Sequence, residues 1–280
     1  MEKKARMTEI TPEVLGELQN VQIEILEEIV RICEKYELRY FLAFGTLLGA
    51  IRHKGFIPWD DDLDIGMPRD DYEKFMQVAK EELGERFFLQ NMKTQPGYWL
   101  TFAKVRKNHT LFEEPSLVKM EDGIHKGIFV DIFPHDYVKK NSGLFLRMQF
   151  ILSKAIIETL YYKAGVFSKS MLRYGALDAV LNLFSMGALG RLQEKIAKLQ
   201  SGKNAKYLAD FQKTENYLDA VYPEEWFYPL QDGEFADKSF KIPKEWDAYL
   251  KATYGDYMVL PKEEDRVNHR TLRIIFDTRK

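Results

Sequence analysis

The sequence has a single cysteine, Cys33, in 280 residues. One thiol cannot build an internal disulfide framework and offers no metal-ligand spacing, so it reads as a small core residue of a helical segment. Long apolar runs are missing too. No segment supplies the roughly 20 uncharged apolar residues that a spanning helix needs. The opening Met-Glu-Lys-Lys-Ala-Arg-Met-Thr has basic groups with no apolar stretch behind them, which is not the pattern of a secretory signal. These absences predict a cytoplasmic chain. Neither sign of charge is in excess: the net charge of −2 provides no global field for nucleic acid, and no nucleic-acid partner is expected. An anionic substrate must instead be met by local clusters. Internal repeats and low-complexity segments are also absent.

What is present is an ordinary globular composition, 45% hydrophobic and 30% charged, with a high aromatic share of 14%. Thr11-Pro12-Glu13 is a helix start, and Val14, Leu18, Val21, Ile25, Ile29 and Ile32 recur at helical spacing behind it. Residues 38–43 read as a strand stopped by Gly45, residues 46–51 as a short helix, and residues 52–61 as a loop. A strand at 63–67 ends at Pro68, a helix covers 70–83, and strands follow at 86–90, 99–106 and 127–133. This alternation predicts an α/β core, an α+β arrangement of a mixed sheet with flanking helices, over residues 1–142. From Gly143 to about Leu199 the pattern is helical, with a break at Gly165 and Ser168. The last third is aromatic and turn-rich, with a helix near 244–253 and a basic tail. Residues 143–280 thus form a largely helical, aromatic-rich second part, separate or continuous with the first.

Four acids fall within five positions, Asp60, Asp61, Asp62 and Asp64, framed by Trp59, Leu63 and Ile65. Like charges this close repel unless something neutralises them, and a divalent cation does so directly. On a strand, Asp62 and Asp64 project from one face while Leu63 and Ile65 enter the core. Two oxygen ligands on one face suit Mg²⁺ or Mn²⁺. A solvated acidic turn or a structural calcium loop is the alternative, although the series lacks the spaced ligands and glycine of an EF-hand. Asp131 interrupts the apolar run Ile-Phe-Val-Asp-Ile-Phe, where an unpaired carboxylate is costly. It either pairs with a buried cation or, if its strand neighbours 63–67, completes a three-carboxylate metal site. Gly45-Thr46 stands at a strand-to-helix turn, where backbone can approach a phosphate and the hydroxyl and helix N-terminus favour an anion.

The stretch Phe44-Gly45-Thr46-Leu47-Leu48-Gly49-Ala50-Ile51-Arg52-His53-Lys54-Gly55-Phe56-Ile57-Pro58-Trp59-Asp60-Asp61-Asp62-Leu63-Asp64-Ile65 closely resembles the signature of the LicD family, phosphocholine transferases and their relatives, with fukutin-type transferases as distant kin. Tyr254-Gly255-Asp256-Tyr257, Leu260-Pro261, Arg266 and Asn268-His269 resemble that family's C-terminal motif. The resemblance implies a nucleotidyltransferase-like fold, with Gly45-Thr46 at the Gly-Ser/Gly turn and Asp62 and Asp64 as paired metal ligands. Asp131 matches the third acid, at an unusually long separation. It further implies a CDP-choline or other CDP-alcohol donor, a hydroxyl acceptor on a glycan or lipid-linked glycan (a lipopolysaccharide or teichoic acid precursor), and release of CMP.

Basic residues for the phosphates are sought in Arg52, His53 and Lys54, in Lys104 and Arg106 on one face of a strand, and in His269 of the tail. A quaternary ammonium would rest on aromatic faces, for which Tyr98, Trp99, Phe133, Tyr137 and Trp226 are candidates. Residues 148–152 and 180–186 are apolar enough either for core packing or for peripheral contact with the inner face of a membrane. Three alternatives use the same acids: a nucleotidyltransferase moving NMP from an NTP, a metal-dependent sugar transferase, and a metal-stabilised binding protein without catalysis.

Overall fold

The structure is a computed structural model that describes residues 10–114, 123–212, 217–266 and 272–279. Thr11 caps helix α1 (Pro12–Lys35), its hydroxyl accepting from the Val14 amide, and Pro12 occupies the first turn. The α1 stripe from Leu18 to Cys33 is buried against a mixed sheet, and Cys33 is free inside the core. Strand β1 (Phe41–Leu42) leads into α2 (Phe44–His53). Then follow β2 (Asp64–Pro68), α3 (Arg69–Glu82), β3 (Phe87–Gln90), β4 (Ala103–Lys107), β5 (Leu111–Glu113) and β6 (Phe129–Val138). The main sheet runs β1-β2-β6-β4-β3, with β2 and β6 parallel and the other pairs antiparallel. It is the α/β mixed sheet with flanking helices that the strand and helix alternation predicts.

Strand β6 runs through Pro134, where the sequence reading ends it. The reason is a change of partner. On one edge β6 pairs with β4 up to Ile132 and with β7 (Tyr207–Ala209) from Asp136 onward. Pro134 falls at the seam between the two, where a missing N–H removes no ladder bond on that edge. Strand β8 (Val221–Pro223) extends the same sheet beyond β7. At the base of β6, Arg69 and Asp136 form a fully buried bidentate ion pair at 2.7 and 2.8 Å, which fixes the start of α3 against the strand.

Helices α4 (Leu144–Lys163), α5 (Ala176–Leu181) and α6 (Met186–Ala197) form a helical layer, broken after Lys163 where Gly165 takes φ 75°. The buried Gln149 side chain bonds the Ile196 and Ala197 carbonyls, and the Gln193 side chain bonds Ser153, so α4 and α6 lie antiparallel. Besides β7 and β8, two further pairings in the turn-rich last third were not read from the sequence. One is the hairpin of β9 (Gln231–Phe235) and β10 (Lys238–Ile242), which packs on α2 and β1; the other is β11 (Arg273–Ile275) beside β5. Helix α7 (Trp246–Tyr254) returns to α2. The main core draws on α1, the sheet and residues Tyr222 to Tyr257, so both sides of Gly143 contribute to it. Among the described residues, no helix is long and apolar enough to cross a membrane.

Candidate active site

The parallel pairing of β2 with β6 sets Asp64 directly opposite Asp131, and the antiparallel pairing of β6 with β4 sets Lys104 opposite Asp131 from the other side. Three charged side chains from three adjacent strands therefore share one face. All three are buried. The Lys104 ammonium lies 2.7 and 2.9 Å from the two Asp131 oxygens and 3.4 Å from the centre of the Phe129 ring. Asp131 is thus both the neighbour of Asp64 and the partner of a buried lysine. The buried cation posed as one alternative in the sequence is Lys104, and the strand adjacency on which the other alternative depended is also present.

Asp62 precedes β2 rather than lying on it, because the strand begins only at Asp64. The acidic loop is held by its backbone. The Gln19 side chain donates to the Asp60 carbonyl at 3.1 Å and Gln22 to the Asp61 carbonyl at 2.9 Å, both from α1. Gln22 is buried on the core stripe of α1, and a polar residue at such a position is the signal that was open to sequence reading.

Thr46 and Gly45 stand in the first turn of α2. The Thr46 hydroxyl accepts from the Asp64 amide at 2.8 Å, and the Ala43 amide donates to the Asp64 carbonyl at 3.1 Å, so the helix start and the strand start are fastened together. A β-carbon on Gly45 would lie 3.0 Å from Asp60 Oδ2. Phe44 enters the helix at φ 44°, a left-handed conformation that non-glycine residues adopt only where the surroundings enforce it. Its ring packs edge-on against Phe133 at 5.2 Å, and Phe133 lies 4.4 Å from Phe102. Phe102 alternates with Lys104 and Arg106, so strand periodicity contained it, yet it was passed over.

The field at this site is strongly negative. Burial pushes the Asp64 carboxyl well above its ordinary range, and Asp62, Asp131 and Asp60 add to the rise. Asp131 is pushed up to about 6, chiefly by burial and further by Asp62, although Lys104 opposes the shift. The Tyr254 phenol at the end of α7, on a residue 43% exposed overall, is raised by desolvation of its hydroxyl and then by the negative field of Asp64, Asp60 and Asp62. Tyr254 therefore belongs to the site's surroundings, which its place in the C-terminal motif alone did not reveal.

Other candidates fall elsewhere. Arg52 and Lys54 sit at the far end of α2, roughly 12 Å along the helix from Gly45. Arg52 donates to the Tyr257 carbonyl at 2.7 Å and to the His53 ring at 2.9 Å, and the Lys54 carbonyl accepts from Ala236 at 2.8 Å. Arg106 is buried, its guanidinium directed to Gln90 and, at 2.6 Å, to the Gly127 carbonyl. His269 lies outside the described residues. Of the aromatic candidates, Phe133 packs on Phe44 at the start of α2, and the Tyr98 phenol is raised by burial and then by the charge of Asp131. Tyr98 and Trp99 are in the second hydrophobic cluster with α4, Tyr137 faces the Arg39 side, and Trp226 packs near Tyr222.

Hard oxygen donors and surplus negative charge are the chemistry that suits Mg²⁺ or Mn²⁺. The described residues contain no ready-made cage of three or more such ligands, and Lys104 engages the Asp131 side. The sign of proton linkage follows from the raised carboxyls. The folded state is favoured by them below about pH 4 and loses that advantage as pH rises through about 6, by roughly 1–3 kcal/mol for Asp131. A bound cation reverses the loss. Millimolar Mg²⁺ or Mn²⁺ is therefore expected to raise the melting temperature at pH 8 and to leave it nearly unchanged at pH 5. Comparing melts with and without cation at each pH cancels the opposite effect of His135, which burial holds neutral down to about 4. Equal shifts at the two pH values, or none, would remove the carboxylates as cation ligands.

The family model for LicD/FKTN/FKRP, nucleotidyltransferase domain, matches residues 37–155, which span the α2 turn, both aspartate strands and Lys104. The lipopolysaccharide cholinephosphotransferase LicD of Haemophilus influenzae is 30% identical over 269 residues, covering 91% of this chain and 95% of that protein. The human ribitol 5-phosphate transferase FKRP is 39% identical over 61 residues, 22% of this chain and 12% of FKRP.

Proposed function

This chain belongs to the LicD family, and from that premise we propose that it transfers phosphocholine, or a related phospho-alcohol, from a CDP-activated donor to a glycan hydroxyl. The observation that carries the reading is the in-register trio Asp64, Asp131 and Lys104 beside the start of α2. It joins a likeness along nearly the whole length of a cholinephosphotransferase.

The residues divide the work by position. Backbone amides in the first turn of α2 face the donor diphosphate, and the helix N-terminus favours its charge. Lys104 contacts the transferred phosphoryl group. The raised carboxyl of Asp131 suits a base working near neutral pH, and it takes the proton from the acceptor hydroxyl. That oxygen bonds to the phosphorus bearing the alcohol, the bond from this phosphorus to the bridging oxygen breaks, and CMP leaves with the bridging oxygen. A divalent cation held by Asp62 and Asp64, with Asp131, would neutralise diphosphate charge and orient the reacting oxygens. The Phe44, Phe102 and Phe133 faces suit a quaternary ammonium. We place the reaction in the cytoplasm. The acceptor is a precursor of a surface polymer such as lipopolysaccharide or teichoic acid.

The test is a screen of labelled CDP-choline, CDP-ribitol and CDP-glycerol with Mg²⁺ or Mn²⁺ and a glycan acceptor. Release of CMP with label on the glycan is expected. Pyrophosphate released from an NTP, with no CMP from any CDP-alcohol, would assign the chain to NMP transfer instead.

A further inference from the structure

Between Lys139 and Lys206 the chain carries twelve lysines and arginines against three acids, in a protein of net charge −2. Two of those acids, Glu158 and Asp178, are buried in the helical layer, and Glu194 is held by Lys198 at 3.2 Å. The outward charge of this layer is therefore almost wholly positive. The same segment holds nine of the fourteen large hydrophobic side chains that the described residues leave exposed. Leu144 is 76% exposed, Phe145 60% and Leu183 83%, with Met148 and Phe184 beside them in sequence.

Helix α4 shows the pattern most clearly. Its inner face, with Leu146, Gln149 and Phe150, is buried. Its outer face should be polar in a helix that meets only water. Instead Leu144 and Met148 follow one another at helical spacing on the outside, next to the exposed Arg147 and ahead of the half-buried Ile151. Protruding apolar tips among cations are what an anionic lipid surface accepts: the tips enter the boundary between headgroups and acyl chains while the cations meet lipid phosphates. A second copy of this chain would set one positive face against another. Nucleic acid would satisfy the cations and leave the leucine and phenylalanine tips in water.

We propose that the α4–α6 layer docks this protein on an anionic bilayer through Leu144, Phe145, Met148, Leu183 and Phe184. The docking stands whichever alcohol is transferred, and its measurement needs no turnover. The full chain is sedimented with vesicles of phosphatidylglycerol and phosphatidylcholine, and with vesicles of phosphatidylcholine alone. Binding to the mixed vesicles is expected, weakened at least tenfold by high salt, with far less on the neutral ones. The double variant Phe145→Ser/Leu183→Ser is expected to lose binding by tenfold or more while melting like the parent, since both side chains are already in water. Charge reversal by Lys139→Glu/Lys140→Glu gives an independent loss, confined to the mixed vesicles. Absence of binding to mixed vesicles overturns the proposal, as does equal binding by the serine variant. A salt-resistant dimer that Phe145→Ser dissociates also overturns it, assigning the face to self-association.

Discussion

Asp64→Asn is expected to lose on the order of a thousandfold in transfer rate while melting at the parent temperature or above it. The rate loss follows from position. Asp64 is the one acid that faces Asp131 in register and receives the field of Asp60 and Asp62 as well. Under the proposed function, removing its charge would take an oxygen ligand from the cation and change the potential at the transferred phosphoryl group. The gain or neutrality in stability has the same origin. A buried carboxylate that neighbouring carboxylates hold above its ordinary range is a folding cost at neutral pH, and an amide of nearly the same shape relieves it. Paired rate and melting measurements separate the readings. A structural acid lowers both, whereas a variant retaining more than a tenth of the parent rate would exclude Asp64 from the chemistry. Asp62→Asn should follow Asp64→Asn in rate.

How much of this was legible in the sequence depends on what each residue's neighbour is. The α/β alternation was legible because it needs only local periodicity, and so was the closeness of Asp62 to Asp64. The meeting of Asp64 with Asp131 required strand order, which composition does not encode, and it was legible only as a condition. Lys104 was readable as one face of a strand with Arg106. That Lys104 reaches Asp131 while Arg106 points to Gln90 and Gly127 depends on β6 and β3 flanking β4. Arg52 and Lys54 lie close in sequence to both the glycine turn and the acids, yet an intervening helix carries them to its opposite end. The β9–β10 hairpin was missed because Gln231 to Glu234 are mostly exposed and lack alternating apolar residues, so no period of two marks them. Pro134 masked the second half of β6 for a physical reason that only the switch from β4 to β7 discloses.

The glycine that reads as functional is not the one with the least room. Gly45 faces the Asp60 carboxylate, a side chain that can turn aside. At Gly49, one turn further along α2, a β-carbon would lie 2.4 Å from the Gly55 carbonyl oxygen, 3.2 Å from the Ile57 amide nitrogen and 3.4 Å from the Phe56 carbonyl carbon. All three are main-chain atoms of the loop that runs on to Trp59 and the acids. Alanine in a helix interior is ordinarily favoured over glycine by about 1 kcal/mol, so an isolated helix would gain from Gly49→Ala. Here the sign should reverse. The loop cannot yield at one atom without moving its backbone, and overpacking of this kind costs about 1–3 kcal/mol. Because the same backbone sets Asp60 beside Gly45 and leads on to Asp62, a displacement of about 1 Å should also lower the transfer rate by on the order of a hundredfold. Urea denaturation and single-turnover rates measure the two effects. Gly45→Ala supplies the contrast, with a smaller stability loss since only a carboxylate must rotate. If Gly49→Ala were as stable as the parent and fully active, the close packing of α2 on residues 55–57 could not be what holds the acidic loop in place.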